Sequence, residues 1–117
     1  MKDERLYVIQ MLERAERIFD YSESGREAFL TNPMIQDAVL RSFEVMGEAA
    51  KRVSQPIRDQ APEIPWRRLA GFRDVLIHQY EGVDLEEVWK RVAEDLPPLR
   101  QSLHSLLKKL DETMELS

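Results

Sequence analysis

The sequence predicts an all-α fold, an antiparallel bundle of four main helices with short accessory helices. Three observations lead there. Apolar residues recur at three- and four-residue spacing along most of the chain, no stretch alternates with period two, and capping residues and prolines stand where one helix gives way to the next. The 117 residues are expected to form a single domain, residues 1–117, and 43% hydrophobic with 33% charged residues suits a water-facing helical protein.

Asp3 can cap a first helix running to about Asp20, with Leu6, Ile9, Leu12, Ala15 and Phe19 on one face. Ser22-Glu23-Ser24-Gly25 breaks it, and Ser24 with Glu27 has capping-box spacing for a short helix through Leu30. Asn32 before Pro33 pairs a cap with a proline at the first helical position, so a helix is expected from Pro33 to about Val53. Its buried stripe reads Ile35, Ala38, Val39, Ser42, Val45, Met46, Ala49 and Val53, and the small residues Ala38, Ser42, Ala49 and Ala50 permit close helix approach. Pro56, Pro62 and Pro65 leave room for one turn around residues 57–60. The next helix starts at Pro65, carries Trp66, Leu69, Phe72 and Leu76 on one side, and ends between His78 and Tyr80. Asp84 with Glu87 caps a last helix whose apolar face is Leu85, Val88, Trp89, Val92 and Leu96. Pro97-Pro98 must kink or split it, and Leu99, Leu103, Leu106, Leu107 and Leu110 continue the period in a nearly coaxial piece, with fraying expected from Asp111 onward.

Composition removes several functions. The net charge of −5 argues against bulk binding of nucleic acid, though Lys51, Arg52, Arg58, Arg67, Arg68 and Arg73 can form either a local phosphate patch or a solvated surface. There is no cysteine for thiolate metal sites, no two-histidine zinc motif and no glycine-rich phosphate loop, so no metal or cofactor is expected. No apolar run reaches transmembrane length and the N-terminus has no apolar signal stretch, so a cytoplasmic location with no membrane contact is expected. His104 reads as a helix-surface residue, and Trp66 and Trp89 as core. Glu86-Glu87 reads as helix-start electrostatics, while Glu48 can support a cleft or pair with Arg52.

The chemistry concentrates in Arg73-Asp74-Val75-Leu76-Ile77-His78-Gln79-Tyr80. Asp74 and His78, four apart, share a helix face, so the carboxylate can orient the imidazole. Arg73 lies about 140° round a regular helix from His78, at about 100° per residue. Both reach one substrate only if the helix ends near His78 or a second subunit brings its own copy. Cleavage of RNA needs a base for the 2′-hydroxyl, an acid for the leaving oxygen and a cation for the developing charge; histidine and arginine supply these.

Arg73, His78 and Tyr80, spaced Arg-x4-His-x-Tyr, resemble the signature of the HepT-like toxins of the HEPN superfamily. Residues 43–51 resemble that family's "GEA-K" helix, Ile64-Pro65-Trp66 before Gly71-Phe72-Arg73 resembles its "IPW…G-R", and Val83-Asp84, Val88-Trp89 and the Leu96-Pro97 kink follow in order. The likeness spans roughly Asp3 to Leu110. The resemblance implies a helical homodimer and the toxin of a type VII-like toxin–antitoxin pair. It implies a metal-independent endoribonuclease with its cleft between subunits, Arg73 and His78 catalytic and Asp74 supporting. It further implies that an MntA-like nucleotidyltransferase antitoxin silences the toxin by adding AMP to Tyr80. Many relatives carry Asn where this chain has Asp74, and an acid there can support His78 or repel substrate. The other reading is a non-catalytic dimeric module that binds the nucleotidyltransferase or nucleotides.

Overall fold

A computed structural model of the chain describes residues 3–116, with the side chains of residues 3–113 other than Tyr80. Helix α1 (Arg5–Tyr21) begins where Asp3 Oδ1 accepts the Arg5 amide at 3.0 Å, and it buries Val8, Met11, Ala15 and Ile18. This corrects the expected face: of Leu6, Ile9, Leu12, Ala15 and Phe19 only Ala15 is buried, Leu6 is exposed and the others sit at the edge. Apolar residues run nearly all round the helix, and its packing against the helices Pro33–Arg52 and Leu96–Leu116 selects the neighbouring stripe. The chain then turns through Gly25 at φ 95° into α2 (Arg26–Thr31). The capping box expected of Ser24 and Glu27 does not form. Gly25 holds the cap position instead, in a left-handed conformation that a side chain would strain.

Asn32 acts as its sequence predicts: its side-chain oxygen accepts from the amides of Met34 (2.9 Å) and Ile35 (3.4 Å) at the start of α3 (Pro33–Arg52). Of the expected stripe, Val39, Ser42, Met46, Ala49 and Val53 are buried and Ile35, Ala38 and Val45 are half-buried, while Leu40, Phe43, Gly47 and Ala50 are buried as well. The reason is its position. It packs against α1 on one side and the helix Trp66–His78 on the other, so two faces are covered rather than one. A four-residue helix, α4 (Gln55–Arg58), sits slightly earlier than the expected turn, with Pro56 in its first turn where a missing amide costs nothing. Helix α5 (Trp66–His78) follows, then a 3₁₀ turn at Tyr80–Gly82.

Asp84 caps α6 (Leu85–Lys90) through its carboxylate, accepting from Glu86 N (3.0 Å) and Glu87 N (3.4 Å). A π segment (Arg91–Asp95) then joins α6 to α7 (Leu96–Leu116) without a break. This is the form the proline kink takes. Pro97 and Pro98 have no amides to return to the preceding turn, and their rings crowd its carbonyls. The wider turn, in which the Leu96 amide bonds to the Arg91 carbonyl, relieves that crowding one turn ahead. The end of α7 corrects the expected fraying: the helix continues to Leu116, and Asp111 is held by Arg5 at 2.9 Å. Every helix but the four-residue α4 gives a buried residue to one apolar cluster, in which Met11, Phe29, Met46, Leu76, Val88 and Leu103 are fully enclosed. Among the described residues no helix is long and apolar enough to cross a membrane.

Candidate active site

Helices α3 and α5 come closest at Gly47. A β-carbon built there would lie 2.4 Å from Arg73 Cβ and 2.6 Å from the Leu69 carbonyl oxygen, so only glycine lets the two backbones meet. The close approach lays the root of Arg73 directly on α3. Glu48, the next residue, takes the Arg73 guanidinium at 3.1 Å and holds Arg52 at 3.4 Å. Arg73 also donates to Asp74 at 3.0 Å, and Asp74 receives Lys51 at 3.8 Å. The result is an alternating chain of charge, Arg52–Glu48–Arg73–Asp74–Lys51, that carries three cations and two anions.

The hydrogen bond from Arg73 holds the Asp74 carboxyl below the usual aspartate range. Partial desolvation opposes that shift, and the charges of Lys51, Arg73 and His78 add to it. Asp74 therefore stays ionised near neutral pH. Among the described residues Arg73 and Lys51 pair with it, and the imidazole four residues on acts on it through charge.

His78 is the last residue of α5; Gln79 leaves the helix at φ −130°, ψ 33°. The imidazole is exposed. Arg73, with a side chain 26% exposed, opens into a groove of about 420 Å³ whose walls come from α1, α3 and α5. Ile77 lines that groove, and with His78 it also lines a second, more open cleft beyond the helix end. Arg73 and His78 thus flank Ile77, one on each side, and neither is walled off. Tyr80 begins the 3₁₀ turn two residues further on, and its side chain lies outside the described residues.

The remaining candidates take structural places. Trp66 is buried, its indole donating to the Ala61 carbonyl at 3.1 Å, and Trp89 stacks obliquely on Phe29 at 5.7 Å. Glu86 pairs with Arg26 of α2. His104 is exposed, 3.9 Å from Glu16 of α1. That partner lies 88 residues away and no helical spacing could have shown it. The sequence offered Lys51 only as one of six cations of a possible phosphate patch, and it gave Gly47 no place in the site. For Gly47 there was a signal: a glycine inside a helix costs about 1 kcal/mol against alanine, so its presence argues for a close approach.

An all-α bundle that opens a guanidinium into one groove and an imidazole into the adjoining cleft past the helix end carries groups that can hold and act on a phosphate ester. The chain belongs to the HepT-like ribonuclease family, whose model, described as "Ribonuclease HepT-like", matches residues 11–106. It is 41% identical over 103 residues to the "Probable ribonuclease HepT" of Thermococcus cleftensis, covering 87% of this chain and 94% of that one. It is 36% identical over 112 residues to "Putative RNase MJ0125" of Methanocaldococcus jannaschii, covering 95% of this chain and 97% of that one. A third relative from the same archaeon is named "Gamma-glutamylcyclotransferase and putative RNase MJ0434"; it is 38% identical over 112 residues, and the chain spans 50% of its length. No solved structure matches the chain.

Proposed function

We propose that this chain is a metal-independent endoribonuclease and the toxin of a toxin–antitoxin pair. Arg73 binds the scissile phosphate and stabilises the charge that builds on its oxygens. His78 moves the protons. As base, an imidazole takes the proton of the ribose 2′-hydroxyl, whose oxygen attacks phosphorus; as acid, an imidazolium protonates the departing 5′-oxygen. The products are a 2′,3′-cyclic phosphate and a free 5′-hydroxyl. In a homodimer the two copies of His78 divide these roles across a shared cleft.

The observation that carries this reading is that Arg73 and His78 each reach an open cleft, the two clefts meeting at Ile77. In a continuing helix Arg73 and His78 would face about 140° apart. His78 is still helical, so that separation holds; Arg73 faces the groove and His78 the cleft past the helix end, with Ile77 between them, and a second copy of the chain is what brings an imidazole to the guanidinium. Tyr80, the third motif residue, receives AMP from an MntA-like nucleotidyltransferase, and the added bulk and negative charge exclude RNA.

The test is incubation of purified protein with tRNA and total RNA beside His78→Ala and Arg73→Ala. Wild type cleaves, and each variant loses about a hundredfold or more of that rate. Equal cleavage by all three sinks the assignment. The second reading, a non-catalytic dimeric module, draws on one specific observation: the Arg73 guanidinium is already held by two carboxylates, Glu48 at 3.1 Å and Asp74 at 3.0 Å. If cells tolerate expression of wild type as well as both variants, and no RNA is cut, that reading stands instead.

A further inference from the structure

The groove beside Arg73 has a chemistry of its own. One wall is a stripe on α3 formed by Arg41, Val45 and Arg52, residues that fall on one helical face; Tyr7 and Gln10 of α1 form the opposite wall, and Arg73 and Ile77 of α5 close the end. Arg41 and Arg52 stand about 16 Å apart along the axis at about 1.5 Å per residue, a span longer than a single phosphate needs. Three arginines line the groove against two glutamates, Glu44 and Glu48; Arg73 is held by Asp74 as well, so the cations most available to further phosphates are Arg41 and Arg52. The carboxylates do not consume the cations. Arg41 meets Glu44 at 3.2 Å with its side chain 70% exposed, and Arg52 meets Glu48 at 3.4 Å with its side chain 52% exposed. Exposed pairs of this kind contribute about 0–1 kcal/mol, whereas a phosphate can take a guanidinium fork by two charge-assisted bonds. Between the arginines the groove offers the half-buried Tyr7 ring, Val45 and Ile77, an apolar bed for a flat base.

We infer that this groove is a binding track for single-stranded RNA. Arg41 and Arg52 hold phosphates that flank the one at Arg73, and an unstacked base lies against Tyr7, Val45 and Ile77. Single strands are specified because the volume, about 420 Å³, takes a splayed nucleotide, and because base faces are reachable only where the strand is unpaired. The inference rests on the ribonuclease reading above but assigns different residues.

The test uses a fluorescein-labelled single-stranded oligoribonucleotide with 2′-O-methyl riboses, which cannot be cut, and reads anisotropy across a salt series. Wild type is compared with Arg41→Gln/Arg52→Gln and with a control that removes two arginines outside the groove, Arg17→Gln/Arg67→Gln. All positions are exposed, and matching melting curves verify folding. The groove pair weakens binding about tenfold and flattens the slope of log affinity against log salt by about 1.4, at about 0.7 for each phosphate of a single strand that is no longer neutralised. The control leaves both close to wild type. If wild type binds and the groove pair binds as tightly, or the control weakens binding as much, the track is refuted while cleavage dependent on Arg73 and His78 stands untouched. If wild type neither binds nor cuts any RNA, both the track and the ribonuclease reading fall.

Discussion

Gly47→Ala puts the geometry of the site to a direct test. The added methyl would sit 2.4 Å from Arg73 Cβ and 2.6 Å from the Leu69 carbonyl oxygen, and both neighbours belong to or adjoin the backbone of α5. Ordinary contact begins at 3.4 Å, so the crossing must open by about 1 Å. Overpacking of this kind costs about 1–3 kcal/mol, and the rigidity of the contacted atoms puts this case near the upper end. Alanine regains about 1 kcal/mol of helix propensity. The net is a loss of about 2 kcal/mol, which lowers Tm by roughly 8 °C at about 4 °C per kcal/mol. Catalysis suffers more, because a shift of about 1 Å in a positioned group can cost about a hundredfold in rate. Thermal unfolding and cleavage of tRNA read the two effects separately. An alanine variant with Tm unchanged or raised would refute the close-approach reasoning, since propensity alone predicts a gain.

Two further outcomes follow from the caps and charges. Asn32→Ala removes the side-chain acceptor for the amides of Met34 and Ile35 and should destabilise the fold by about 1 kcal/mol, measured by urea unfolding; no change would mean that water replaces the cap fully. For Asp74 the carboxyl is held below its ordinary value, chiefly by Arg73. Its ionic contribution is therefore complete above the usual aspartate range, about 3.9, and is lost as pH falls through the depressed value. The difference in urea midpoint between wild type and Asp74→Asn should stay constant from neutral pH down to about pH 5 and close only in stronger acid; closure already near pH 6 would contradict the assigned contacts.

Much of the fold was legible because its signals are local. Asn32-Pro33 and Asp84 set helix starts through bonds made within three residues, and the spacing of apolar side chains set the faces of α5, α6 and α7, while in α1, where two apolar stripes compete, it pointed to the wrong one. What stayed hidden depends on neighbours. The extra buried face of α3, with Leu40 and Phe43, exists because α1 and α5 sandwich it, and no property of its own residues demands that. The cap at Gly25 displaced a plausible Ser24 because a backbone turn at positive φ competed with a side-chain bond. At the site, the order Arg73, Asp74, His78 was visible, and Glu48 and Lys51 stood out as candidates, but which group each would grip was not, because they come from another helix more than 20 positions earlier.

The π segment leaves its mark on how the protein tolerates changes in length. Buried residues leading into and across it fall four and four apart, Val88, Val92, Leu96, while those after it return to three and four, Leu99, Leu103, Leu106. The segment is in effect a spare residue folded into the helix. A deletion between positions 91 and 95 could be absorbed by tightening the turn, with both flanking faces still inward. The same deletion within α7 would swing every later leucine about 100° off the core. The stretch ahead of the two prolines is thus the long helix's slack, the one part of it whose residue count the fold leaves negotiable.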